Sequence, residues 1–430
     1  MYTFKISYFI ITALFILSFL TSCQKEHPDV TELKFWAMGA EGEKIKLLLP
    51  EFKERNPDIK ITIQSIPWGA AHEKLLTAFA GNTMPDVCQL GNTWIPEFET
   101  IGALDQLDPY IQNSLIIKQN NFFDGVWQTN IINNRLFGIP WYVDTRVLFY
   151  RTDVLHTQGY DSAPQTWDQL LEVSRKIVAS NKNSDTGYAF YYSLIANDGY
   201  VPVMFIMANG GKFLKDNFQY AAFDDEKTKE ALRYYLTFFQ DRLASRSMTE
   251  FTNIYQGFAQ RDFAMMVHGP WVVNEIRNRF SELNGKWATA IMPLKENRTS
   301  LAGGASLVIF KNAKNPQAAW KWIEFLCEKE TQIKFFNLTR DLPSVKTAWE
   351  DPLLKDDAIT RVFYQQLENV TPTPQIPEWE QIYVKLQEHL ELVIHEKVEF
   401  DDMIKQLNNE VNQILEKRRW LLANDLLNSQ

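Results

Sequence analysis

The sequence predicts an α/β fold with a largely parallel sheet, on two observations: strands and helices alternate from residue 31 onward, and each later helix carries a single apolar stripe. The first strand is "ELKFWAM". In "EKIKLLLPEFKERNP", Ile45, Leu48, Leu49 and Phe52 recur at helical spacing and predict one buried face. "DIKITIQSI" alternates, with Ile59, Ile61 and Ile63 on one side of a strand. A second helix, "AAHEKLLTAFA", is stopped by Gly81, and the short strand "DVCQL" follows. Ligand sites in such layers gather beyond the carboxyl ends of the strands.

"FGIPWYVDTRVLFYR", residues 137–151, begins as a turn and ends as a buried strand, with Trp141, Tyr142, Asp144 and Arg146 at the joint. Beyond it helices dominate. Thr166, three residues before Gln169, is a capping box that marks one helix start. Leu232, Tyr235, Leu236 and Phe239 share one stripe, and Ala319, Trp322, Ile323, Leu326 and Cys327 another. "TPTPQIPE" is an extended connector, because a residue before proline is driven out of the helical region. Two amphipathic helices close the chain, through Trp379, Ile382, Tyr383 and Leu386, then Ile404, Leu407, Val411 and Ile414.

Ahead of this body, Lys5 precedes an uncharged run from Ile6 to Leu20. The run is shorter than the ~20 residues a membrane span needs and fits a secretion signal over residues 1–22. "LTSC" resembles the lipobox of bacterial lipoproteins, which implies lipid attachment at Cys23 and a tether over 23–30. About 400 residues would remain, room for two or three domains. The formal charge of −9, without basic clusters, speaks against a nucleic-acid partner. Three cysteines cannot form a disulfide framework, and Cys88 and Cys327 both lie in apolar segments that predict buried thiols.

No HExxH, GxSxG, GxxxxGK[ST] or strand-borne GxGxxG occurs, and the six histidines are scattered. His389 and His395, six apart, do not share a helical face. No catalytic centre, metal site or cofactor is therefore expected.

In order along the chain, "FKERNPDIKITIQ", "LLTAFAGNTMPDVCQLG", "IGALDQLDPY", "RLFGIPWYVDTRVLFYRTDVLHTQGYDSAPQTWDQLL", "GFAQRDFAMMVHGPW" and "PLKENRTSLAGGASLVIFKNAKNPQAAWKWIEFLCEKETQ" resemble the extracellular solute-binding proteins of family 1. These are periplasmic or lipid-anchored receptors that deliver sugars to ABC importers. "NLTRDLPS" departs from the family pattern, which more often has a glycine before that proline. The resemblance implies a two-lobed fold of the type II periplasmic-binding-protein class, each lobe a sheet flanked by helices, with the solute held between lobes joined by a hinge. Lobe 1 would take residues 31–142 with 302–343, and lobe 2 residues 143–301 with 344–430. It further implies an extracytoplasmic monomer on a lipid anchor, with a carbohydrate ligand and ABC permease subunits as partners.

A sugar presents C–H faces that pack on aromatic plates and hydroxyls that each need a partner once buried. Residues of the right type at loop and hinge positions are Trp36 and Glu41 after the first strand, Trp68 after the second, and Asn92 and Trp94 after the third. The hinge segment adds Tyr142, Asp144 and Arg146, and "HGPW" adds Trp271. Gly303 and Gly304 would let backbone amides approach a ligand, and Arg340 completes the set. Trp141 is expected to pack, because Tyr142 points the other way in an extended strand. Arg146 would serve either the ligand or an ion pair with Asp144. A secreted carbohydrate-active hydrolase working through Asp144 or Glu41, a receptor for a sugar phosphate or other polar solute, and a sensor subunit are the competing readings.

Overall fold

The computed structural model describes residues 30–180, 187–194, 200–247 and 253–424. The signal, Cys23 and most of the tether lie outside them. In chain order the elements that matter are β1 (Thr31–Met38), α1 (Gly39–Lys44), β2 (Ile59–Ile66), α2 (Trp68–Ala80), β3 (Val87–Gly91), β4 (Ile139–Asp144), β5 (Val147–Arg151), α3 (Trp167–Ser180), β6 (Tyr188–Tyr191), α4 (Glu226–Gln240), β7 (Phe263–His268), α5 (Trp271–Arg279), β8 (Trp287–Ala290), β9 (Gly303–Ile309), α6 (Pro316–Leu326), α7 (Lys329–Thr339), β10 (Leu342–Pro343), α8 (Trp379–Ile394) and α9 (Phe400–Ile414).

These strands form two main sheets. One has six strands in the order β10-β4-β9-β3-β1-β2, the other four in the order β8-β5-β7-β6. Only half of the first sheet is parallel. β1 pairs in parallel with β2 and β3, whereas β9 runs antiparallel to both β3 and β4, and β10 antiparallel to β4. The antiparallel half consists of the three strands that leave or re-enter this sheet next to the second one. A direct crossing needs no helical return, so these strands escape the parallel rule that βαβ units impose.

The predicted stripes face the cores, with Leu49, Ile61, Ile63 and Ile414 half-buried at their margins. Leu232, Tyr235, Leu236 and Phe239 of α4 lie in one core with Trp379, Ile382, Tyr383 and Leu386 of α8 and with Leu407 and Val411 of α9. Trp322, Ile323 and Leu326 of α6 close over β1 and β4, packing with Phe35 and Trp141. Trp322 meets Phe52 edge-on at 5.0 Å, a contact worth ~0.5–1.5 kcal/mol beyond its buried area. At the start of α3, Thr166 Oγ1 accepts from the Gln169 amide, and the Gln169 side chain accepts from Gln165 N rather than from Thr166 N. The stretch from Gly39 to Arg55 is α-helix, then a 3-10 turn over Ile45–Leu48, then helix again; Pro50 at the start of the last piece removes an amide donor. Cys88 and Cys327 are free and buried, and burial pushes both thiols up.

Three segments link the sheets. β4 runs into β5 through Thr145 and Arg146; Ser300 and Leu301 precede β9; β10 leaves toward Ser344. The first two are tied together: Arg146 N donates to Ser300 Oγ at 3.2 Å, and Ser300 Oγ donates to Arg146 O at 2.8 Å.

Candidate functional site

Extended backbone sends neighbouring side chains of β4 to opposite faces. Trp141 is fully buried and stacks on Phe335 at 4.5 Å, so it is core. Tyr142 turns the other way. Its hydroxyl donates to Glu41 Oε1 at 3.0 Å and accepts from Gln89 Nε2 at 3.0 Å. Glu41 stands in α1, directly beyond the carboxyl end of β1, and also accepts from Trp68 Nε1 at 3.3 Å. The turn that places it needs Gly39, whose φ is +53° and whose Cβ would lie 2.8 Å from Glu41 Oε2. Trp68 meets Trp94 edge-on at 5.8 Å, Trp94 meets His72 at 5.1 Å, and His72 Nε2 pairs with Glu97 at 2.6 Å. Asn92 is buried and donates to the Ala302 carbonyl at 2.9 Å, which fastens β3 to the second crossing.

At the end of β4, Arg146 Nη1 donates to Asp144 Oδ1 at 2.7 Å, and its guanidinium lies 4.7 Å from the centre of the Trp271 ring. Asp144, Arg146 and Trp271 thus form one continuous surface across the first crossing. Trp271, at the first turn of α5, remains 39% exposed. Gly269 makes room for it, since a Cβ there would fall 2.2 Å from the indole. Gly303 does the same for Asp144, with a virtual Cβ 2.1 Å from Oδ1. Gly304, at φ +124°, runs so close to β4 that a Cβ there would fall 2.3 Å from the Tyr142 carbonyl oxygen.

Three residues absent from the sequence reading join this site. Asp341 precedes β10, and its Oδ2 is buried without a hydrogen-bond partner. Burial, then the Glu41 charge and that of Asp144, push its carboxyl up to about 7. The same three carboxylates act on Tyr142: burial pushes its phenol up first, with Glu41, Asp341 and Asp144 adding to it. On the other side, Tyr200 stacks on Tyr383 at 4.0 Å, and its hydroxyl lies 3.3 Å from Glu380. Burial pushes the Tyr200 phenol up, Glu380 adds to this, and Arg146 opposes it. The bond to Glu97 raises the His72 imidazole, and Glu380 contributes too, so α2 and α8 lie within electrostatic reach of each other. Among the described residues no three His, Cys, Asp or Glu side chains are placed to hold a metal ion.

Two expected residues lie elsewhere. Trp36 is inside β1 rather than beyond its end, half-buried, with Lys74 Nζ 5.3 Å from its ring centre. Its side chain packs in the cluster that holds Ala71 and Leu75 of α2. Arg340 caps α7 in the left-handed region, and its guanidinium turns over Phe336 at 5.2 Å, bordering a separate cavity. Gly303 and Gly304 approach the hinge strand closely, so the space their missing side chains leave is taken by Asp144 and the Tyr142 backbone. Asp341 had one usable signal: in an extended segment it must face opposite to Leu342, which is buried.

The family model described as bacterial extracellular solute-binding protein matches residues 37–333. The solved structure of the sugar-binding protein MalE from Xanthomonas citri superposes with a TM-score of 0.86 at 38% identity, covering 91% of this chain and 99% of that one. The maltodextrin-binding protein of Bacillus subtilis is 27% identical, covering 79% of this chain and 80% of its own. The galactooligosaccharide-binding protein of the same organism is 24% identical, covering 87% of each. The solved relatives are two-domain binding proteins, and this is the fold of the present chain. Proteins of this kind bind substrates for ABC transport outside the cytoplasm and are not enzymes. With the match spanning well over half its length, the chain belongs to the bacterial extracellular solute-binding proteins.

Proposed function

We propose that this protein captures an oligosaccharide between its two domains and hands it to an ABC importer. The observation that carries this reading is the Asp144–Arg146–Trp271 surface, which offers a carboxylate, a guanidinium and an aromatic plate side by side at a crossing between sheets. A pyranose matches it: one C–H face on the indole, hydroxyls on the ion pair. Trp68 and Trp94, beside Glu41, supply a second aromatic wall, and Tyr200 with Glu380 a third. The relatives named for maltodextrin and galactooligosaccharide point to the same class of ligand.

Closure follows from differential contact. A sugar that touches both domains only when they meet favours the closed form by the contacts the open form lacks. Moving the closed share from 1% to 99% takes ~5.5 kcal/mol, within reach of two stacked rings and several hydroxyl bonds. In this reading the body works as a monomer held to the membrane by lipid at Cys23. One lobe comprises residues 31–142 with 302–343, and the other residues 143–301 with 344–430. The permease reads the closed form.

Calorimetry against a panel of neutral di- to tetrasaccharides, with scattering on the same samples, tests the reading. Binding of at least one of them accompanied by a smaller radius of gyration is expected. No binding across the panel, or binding with unchanged scattering, would overturn it.

A further inference from the structure

We propose that the cavity between α5 and the end of α7 is a second small-molecule site, one that takes a carboxylate carried on an apolar ring. The cavity measures about 470 Å³, inside the range of ligand pockets, and none of Glu41, Tyr142, Asp144, Arg146 or Trp271 lines it. Its walls come from the two ends of the molecule that the hinge joins: Asn274, Arg277 and Asn278 on α5, Phe336 and Arg340 on α7, and Leu353 beyond β10.

Arg340 makes the case for an anion. It caps α7 at φ +69°, a conformation that suits glycine and costs other residues roughly 1 kcal/mol. The side chain so placed holds its guanidinium over the Phe336 ring and has no carboxylate partner among the described residues. The neighbouring Arg277 is different: it is locked bidentate to Asp357, at 2.7 and 3.0 Å, and its charge is already matched. Among the described residues Arg340 is thus the unpaired positive charge of the cavity. Asn274 and Asn278, one helical turn apart, have side-chain amides with no hydrogen-bond partner among the described residues, so they are available as further donors. Phe336 and the exposed Leu353 form an apolar lining, which a free inorganic anion would leave unused. A few convergent donors over an apolar wall fit a ring that bears one carboxylate.

Titration calorimetry and saturation-transfer NMR on the full-length protein, with benzoate, benzamide and inorganic phosphate as probes, test the site. Benzoate is expected to bind, benzamide and phosphate to bind at least tenfold more weakly. Arg340→Gly is expected to weaken benzoate tenfold or more while its melting temperature stays level or rises, because the backbone strain is relieved. Asn274→Asp, which puts a like charge beside the carboxylate, is expected to weaken benzoate as well. Asp144→Asn should leave benzoate binding unchanged, so the outcome is independent of the oligosaccharide reading. Equal affinity for benzoate and benzamide, equal affinity for benzoate and phosphate, or wild-type benzoate affinity in folded Arg340→Gly overturns the proposal.

Discussion

On the side of the six-stranded sheet the site is already bonded to itself: Tyr142 donates to Glu41, Gln89 donates to Tyr142, and Trp68 donates to Glu41. Across the first crossing, the Asp144 and Arg146 side chains pair with each other, and Trp271, under the Arg146 guanidinium, keeps 39% of its surface exposed. The first wall is stiff because every buried polar group in that chain of bonds has a partner, and a polar group stripped of its partner costs ~1–3 kcal/mol. The second wall keeps unspent hydrogen-bonding capacity, which a ligand can take up. A receptor that closes gains from this division, since one side fixes the geometry and the other supplies the affinity.

The largest effect is expected where both walls meet. Gly304→Ala would drive a Cβ to 2.3 Å from the Tyr142 carbonyl at a φ of +124°. A loss of at least ~3 kcal/mol is expected, from strain and overpacking together, read by urea unfolding. A near-neutral result would mean that the hinge strands part easily. Next is Asp144→Asn, which removes the charge that orients Arg146. Ligand affinity should fall roughly thirtyfold, the weight of a hydrogen bond to a charged group, with calorimetry as the readout. Trp271→Ala should cost about tenfold in affinity, yet change stability by less than ~1 kcal/mol because the residue is 39% exposed and packs in none of the hydrophobic cores of the described residues. If Trp271→Ala unfolds the protein instead, the second wall is structural and the contrast fails. Tyr142→Phe should do the reverse, costing ~1–2 kcal/mol of stability by leaving Gln89 Nε2 without its acceptor and Glu41 with Trp68 as its remaining side-chain donor.

This contrast explains how much of the molecule could be read from its sequence. Periodicity placed α4, α6, α8 and α9 and their buried faces, and it separated Trp141 from Tyr142, because the burial of a stripe is a local property of spacing. The strands of the antiparallel half looked like any others, because pairing partners such as Gly303 and Asp144 are far apart in the chain. Glycines at 303 and 304 announced a close approach, expected to be to a ligand, whereas the neighbours they meet are Asp144 and the Tyr142 backbone. Tyr200 and Glu380 carry no local mark at all, and Asp341 only its alternation with the buried Leu342: a carboxylate in a connector looks solvated until the fold brings another element over it. Trp36 failed for the opposite reason, since an aromatic near the end of a strand looks the same whether it faces the gap or a helix.

Asp341 supplies the smallest of the expected effects and the sharpest check on the dryness of the first wall. Its carboxyl is pushed from 3.8 up to about 7 in the folded protein, chiefly by burial. Between those values the folded chain keeps a proton that the unfolded chain has released, so stability must fall as pH rises from about 4 to about 7 and level off above. His72, Glu99 and Asp262 are raised as well, and each weakens the fold as pH climbs through its own titration, so the wild-type curve alone mixes them with Asp341. Asp341→Asn isolates that residue's share. It is isosteric and neutral at every pH, and it should match the wild type within ~0.5 kcal/mol at pH 4 yet exceed it by ~1 kcal/mol at pH 8, measured as the difference between the two unfolding curves. The gain is held to that size because opening of the hinge lets water reach a charged Asp341, which relieves most of the penalty of burial. An equal difference at pH 4 and pH 8 would mean that the carboxylate is already hydrated, and that the wall carrying Glu41 and Tyr142 is as open to solvent as the one carrying Trp271.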